Sequence, residues 1–184
     1  TDFNFLYVGH WLAGEFGHDR KDTGKLIQVF LETFKDKDVQ PSLILKTSSA
    51  TFSIIDRNEC LAKIAEIKKS IKYKDSLLHG DLTDEEMNAL YNHPKVKAHI
   101  SFTKGEGFGR PLLEASLSQK PVIVSGWSGH VDFLDSEMSV LLPGELKQVH
   151  KSVVWKDVIL EASKWFYVDY EFASKVMTDV FSNY

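Results

Sequence analysis

Short apolar runs alternate with amphipathic stretches from one end of the chain to the other, and this limits the fold more than any other feature. Phe5-Leu6-Tyr7-Val8 stops at Gly9, the profile of a strand buried on both faces. From Thr23 the spacing turns helical, with Leu26, Ile27, Phe30, Leu31 and Phe34 on one face and Thr23 as its N-cap. Leu43-Ile44-Leu45 is a second strand, followed by a helix capped by Asp56 or Asn58 and carrying Leu61, Ile64, Ala65 and Ile71. Leu77 to Gly80, Val96 to Phe102, Pro121 to Ser125 and Ser139 to Leu142 complete six strands. The helices between them run from Asp84 to Tyr91 and from Pro111 to about Ser118, with a short one from Gly129 to Leu134. Two more helical patterns, Lys156 to Phe166 and Tyr170 to Phe181, close the chain, and Trp155, Trp165, Phe166 and Tyr167 are expected to pack there or to form surface left by a missing partner domain. Parallel strands need helical crossovers, so the expected fold is a Rossmann-like, doubly wound α/β sheet of about six strands.

Size and charge set the outer bounds. The 184 residues, 43% hydrophobic and 26% charged, suffice for one substantial domain spanning 1–184 and not for two. A net charge of -4 argues against a nucleic-acid partner, which needs a basic face. No apolar run approaches the roughly 18 residues of a membrane span, and no signal peptide opens the chain. Cys60 is the single cysteine, which fits a reducing, cytoplasmic setting, with peripheral membrane attachment left open for a longer form.

A doubly wound sheet binds ligands at the carboxyl ends of its strands, here in loops 10–22, 46–55, 80–84, 103–110 and 126–129. Residues 103–114 stand out: Thr-Lys-Gly-Glu-Gly-Phe-Gly-Arg-Pro-Leu-Leu-Glu. Glycine lets a ligand approach the backbone, and Pro111 suits the first helical position. The amides of Gly107 to Arg110 would then gather at a helix N-terminus, a ready site for phosphate. Gly105, Gly107 and Gly109 give G-x-G-x-G after the fourth strand, which is neither the dinucleotide fingerprint nor a Walker loop. Two carboxylates, Glu106 and Glu114, bracket the glycines. Helical rise puts Gly109 and Glu114 roughly 7 Å apart, and an extended Glu106 to Gly109 adds up to about 10 Å. The pair can therefore flank a diphosphate held on the amides.

E-G-F-G-R-P-L-L-E resembles the E-x7-E signature of retaining GT-B glycosyltransferases of the family 4 type. Glu114-Ala115, Lys120 to Ser125, Trp127-Ser128-Gly129 and Asp132 are similar to the segments that follow it in that family. Upstream, Arg20-Lys21, Leu26-Ile27 and Phe30 resemble the opening of its C-terminal half, although His10 stands where Arg is usual. Gly80 to Glu86 resembles its third βα turn. The resemblance implies a donor-binding domain for a nucleoside-diphosphate sugar, transferring the sugar with retention to an unknown acceptor. It implies Glu106 as the sugar-side carboxylate, Glu114 as ribose ligand, and Lys21 with Arg20 as the phosphate-binding cations. Glu106 and Lys21 would be the catalytic pair. Gly107, Phe108, Gly109 and Arg110 would face donor or phosphate, and Leu82 would line the base pocket.

Neither a cofactor nor a metal is expected. Cations and amides already neutralise the leaving diphosphate, and the seven histidines show no metal-ligand spacing. Asp36-Lys37-Asp38 reads as solvated surface. His10, His130, Lys46, Lys104 and Arg110 lie on ligand-side loops with structural roles equally open. Glu114 has its own bland reading, an i,i+4 pair with Arg110 worth about 0.2–0.5 kcal/mol. The alternatives are a non-catalytic nucleotide-sugar-binding module, a glycosidase carboxylate pair, or a flavin or nicotinamide domain, against which the glycine spacing speaks. The chain begins at Thr1, so a cut is expected, with the N-terminal Rossmann-like acceptor domain missing and the isolated chain nearly inactive.

Overall fold

The computed structural model describes residues 2–49, 51–71, 75–137 and 139–184. Thr1, on which the expected cut rests, and Ala50 of the 46–55 loop lie outside the described residues. The strands β1 (Asn4–Val8), β2 (Ser42–Lys46), β3 (Asp75–Leu78), β4 (Val96–Ser101), β5 (Val122–Ser125) and β6 (Ser139–Leu142) form one sheet. All its pairings are parallel and the order is 3-2-1-4-5-6, so the sheet is doubly wound and parallel as expected.

Side-chain alternation along β1 shows how the layers are built. Phe5 and Tyr7 face the larger core with α1 (Thr23–Phe34), α2 (Ile54–Ile67) and α5 (Tyr170–Ser182), whose Leu26, Phe30, Phe34, Ile64, Ala173 and Met177 are buried there. Leu6 faces the other core with Tyr91 of α3 (Asp84–Asn92) and Leu112 and Ala115 of α4 (Arg110–Leu117). Both faces of the sheet are covered, which is why its strands read as unbroken apolar runs.

Three expectations need correction. Thr23 does not cap α1: Asp22 holds the cap position in a left-handed conformation (φ 53°), and the buried Thr23 hydroxyl meets Tyr7 Oη at 2.7 Å. Ser53, not Asp56 or Asn58, caps α2 by accepting from the Asp56 amide, and the helix stops at Ile67, short of Ile71. The largest departure is Lys156 to Phe166, which is no helix. Lys164–Val168 forms β8, antiparallel to β7 (Gly144–Gln148), and a tight turn joins Trp155 to Ile159. Trp165, Phe166, Tyr167 and Val168 favour extended backbone, and Phe166 and Val168 alternate inward to the core. The two-strand ribbon brings the strand total among the described residues to eight.

Candidate functional site

The strand order reverses between β1 and β4, so the loops after these two strands meet across a crevice. The first carries Arg20 and Lys21, the second Glu106. Lys21 Nζ and Glu106 Oε1 form a close ion pair, each side chain 11% exposed. Arg20 Nη1 donates to the Gly105 carbonyl and lies 3.3 Å from Glu106 Oε2. Thr103 Oγ1 donates to Glu106 Oε1 at 2.6 Å. Burial pushes the Glu106 carboxyl up, but Lys21, Thr103 and Arg20 outweigh it and hold the group below the ordinary glutamate value. Burial lowers Lys21, and the charge of Glu106 offsets only part of that.

Ser128 fixes the backbone of the same turn, accepting from the Glu106 amide at 3.0 Å and donating to the Glu106 carbonyl at 2.7 Å. The Gly129 amide also donates to that carbonyl, and a Cβ on Gly129 would sit 2.1 Å from the Gly107 oxygen. Sequence reasoning placed Ser128 and Gly129 in a neighbouring loop without giving them a task. Only the fold brings residues 106 and 128 together.

Lys104 turns out to be structural. It is fully buried, and Nζ donates to the Gly17 and Asp19 carbonyls and to Asp22 Oδ1 at 2.8–2.9 Å. Its amide donates to the Arg20 carbonyl, and Tyr170 Oη donates to the other Asp22 oxygen at 2.5 Å. This cluster ties the loop bearing Arg20 and Lys21 to the loop bearing Glu106. Burial raises Asp19 to about 6 despite the nearby Lys104 charge. His130 is fully buried too, donating Nε2–H to the Ser125 carbonyl at 2.7 Å, and burial lowers its pKa, which favours the neutral ring.

Glu114 stands apart from that cluster. Its Oε1 accepts from Arg110 Nε at 2.6 Å, the i,i+4 pair, and Arg110 reaches Asp84 at 3.9 Å across to α3. Glu114, Arg110, Asp84, Asn88 and Tyr91 line a cavity of about 410 Å³ between α3 and α4. A second cavity of about 370 Å³ opens at the ends of β1 and β2, lined by His10, Arg20, Lys21, Lys46, Thr47 and Phe52, among others. Met87 and Pro111 wall both, so Glu114 and Lys21 face adjoining spaces. Gly107 and Phe108 are exposed, Gly109 opens α4 at φ 88°, and Leu82 is half-buried at the approach to α3. Asp36-Lys37-Asp38 lies in an exposed turn after α1, as expected.

These features define an α/β domain with a crevice lined by charged side chains at the switch point of its sheet. No protein-family model and no curated protein sequence matches the chain. Solved structures do. The C-terminal domain of a glycosyl transferase group 1 family protein from Francisella tularensis superposes with TM-score 0.62 at 15% identity, over 98% of this chain and 76% of that one. A lipopolysaccharide outer core galactosyltransferase gives 0.52 at 19% identity, over 98% of this chain and 40% of that one. Anabaena HepE, solved with UDP and glucose, gives 0.50 at 13% identity, over 76% of this chain and 34% of that one. The fold is that of the C-terminal half of a GT-B glycosyltransferase. The chain spans well under half the length of the two longer proteins.

Proposed function

We propose that this chain is the donor-binding half of a retaining, metal-independent glycosyltransferase that uses a nucleoside-diphosphate sugar. The observation that carries the reading is the Arg20–Lys21–Glu106 cluster, two cations and one carboxylate set across the crevice between β1 and β4. The likeness to folds solved with UDP and glucose supports it.

Transfer breaks the bond between the anomeric carbon and the terminal phosphate oxygen, and the electron pair leaves with the nucleoside diphosphate. The acceptor hydroxyl bonds to the same face of that carbon, and its proton passes to the departing phosphate oxygen. Lys21 and Arg20 stabilise that oxygen most as its charge develops, because the crevice is partly desolvated and its dipoles are fixed in advance. Glu106 holds both cations in place until the diphosphate arrives. It then lies on the sugar side, where its negative charge favours the oxocarbenium-like carbon. Glu114 leaves Arg110 to accept from the ribose hydroxyls, while Arg110 and the amides of Gly107 to Gly109 face the phosphates, and Leu82 borders the base. The acceptor is recognised largely by a second Rossmann-like half, so the chain alone transfers little.

Calorimetry on variants tests the assignments. Glu114→Ala is expected to weaken nucleotide binding about tenfold or more, as loss of a charged hydrogen bond does. Glu106→Gln should keep the nucleotide yet impair transfer once the other half is restored. Equal affinity in wild type and Glu114→Ala would rule out the ribose role.

A further inference from the structure

The cavity beside Lys21 supports a more specific inference, which rests on the donor-binding reading and concerns the base. Lys46, at the end of β2, donates from Nζ to the Gly80 carbonyl at 2.7 Å, and that nitrogen lies 5.3 Å from the centre of the Phe52 ring. The bond to Gly80 sets Lys46 beside the turn that carries Leu82. Phe52 is 47% exposed, leaving ring surface open to a ligand. Thr47 is 2% exposed and lines the same cavity, yet its Oγ1 has no hydrogen-bond partner among the described residues. A buried hydroxyl left unpaired is costly, so a ligand atom that pairs with it recovers that cost. Asp81 places a negative charge near Lys46, and His10 Nδ1 pairs with Ser48 Oγ on the same side of the cavity.

We propose that Lys46 and Thr47 read the edge of the nucleotide base, selecting one that carries a carbonyl beside a ring N–H. Uracil and guanine present that edge; cytosine and adenine present an amino group beside a bare ring nitrogen. Lysine is a donor only, so Lys46 Nζ pairs with the carbonyl and faces an amino group donor to donor. Thr47 Oγ1 accepts from the ring N–H, and the exposed face of Phe52 stacks on the base. The phosphates then lie on Arg20 and Lys21 at the other side of the same cavity. A site built around a hydrogen bond rejects the analogue that cannot make it more sharply than an apolar pocket rejects a change of size.

Titration calorimetry of the chain with UDP, GDP, CDP and ADP tests this. UDP or GDP is expected to bind at least about tenfold tighter than CDP and ADP, and the comparison of UDP with GDP tells which base the cavity takes. Lys46→Met should bring the UDP:CDP or GDP:ADP ratio to within about twofold, while Lys46→Arg keeps the donor and much of the ratio. A role confined to tying Gly80 would lower stability in Lys46→Met and leave the ratio alone; that result overturns the proposal. Should Lys46→Met fail to fold, Thr47→Val of matched volume decides, and an unchanged ratio there overturns the proposal as well. Equal binding of all four nucleotides removes base selection but leaves the donor-binding reading standing. No binding of any of them removes both.

Discussion

Lys104 is fully buried and ties together the two loops that carry the candidate site. A lysine with no exposure persists because three oxygens accept its N–H bonds and Asp22 balances its charge. Lys104→Met leaves the buried Asp22 carboxylate without its ion-pair partner, and is expected to cost about 3–5 kcal/mol in chemical denaturation. Tyr170→Phe, which spares the ion pair, should cost about 1–2 kcal/mol. A loss under about 1 kcal/mol for Lys104→Met would contradict the staple. The neighbouring Asp19 gives a pH test. Its carboxyl titrates at about 6 in the fold against 3.8 ordinarily, so between those values the folded chain binds more protons than the unfolded one. Its contribution is therefore largest at low pH and falls as pH rises from 3.8 to about 6, by at most about 3 kcal/mol. Asp19→Asn keeps an acceptor for the Lys21 amide and should remove that fall relative to wild type, measured as stability against pH.

Among the elements, the short turns set the tolerance. The Cβ that Gly129→Ala adds would meet the Gly107 oxygen at 2.1 Å, so the Glu106 turn must move. This variant should lose both stability and nucleotide affinity, whereas Thr83→Ala, which breaks only the capping box of α3, should cost about 1 kcal/mol and leave affinity unchanged. Denaturation and calorimetry on the pair separate the two effects. The same contrast shows what the sequence could reveal. The strands and α1, α3 and α4 were legible because their apolar spacing is strict. The ribbon of β7 and β8 was not: its apolar residues suit either period, and the pairing of Gly144 with Val168 that settles the matter is not local. In the candidate site, Glu106 and Lys21 were singled out by motif, and the fold pairs them. Ser128, Asp22 and Tyr170 were not, because their partners lie 22 to 148 residues away in the chain.

At the scale of the whole molecule, the order 3-2-1-4-5-6 explains why residues 20, 21 and 106 converge at all. It places the loops after β1 and β4 on either side of one crevice, and the Lys104 cluster locks them together. Among the described residues no helix is long and apolar enough to cross a membrane. The central claim is that this crevice holds a nucleoside diphosphate on Arg20 and Lys21, and titration calorimetry tests it most directly. At least one of UDP, GDP and ADP is expected to bind wild type with a Kd below about 1 mM, more than about 4 kcal/mol of binding energy, and to lose most of that affinity in Lys21→Met. Absence of binding by all three at millimolar concentration, or full affinity in Lys21→Met, would contradict it.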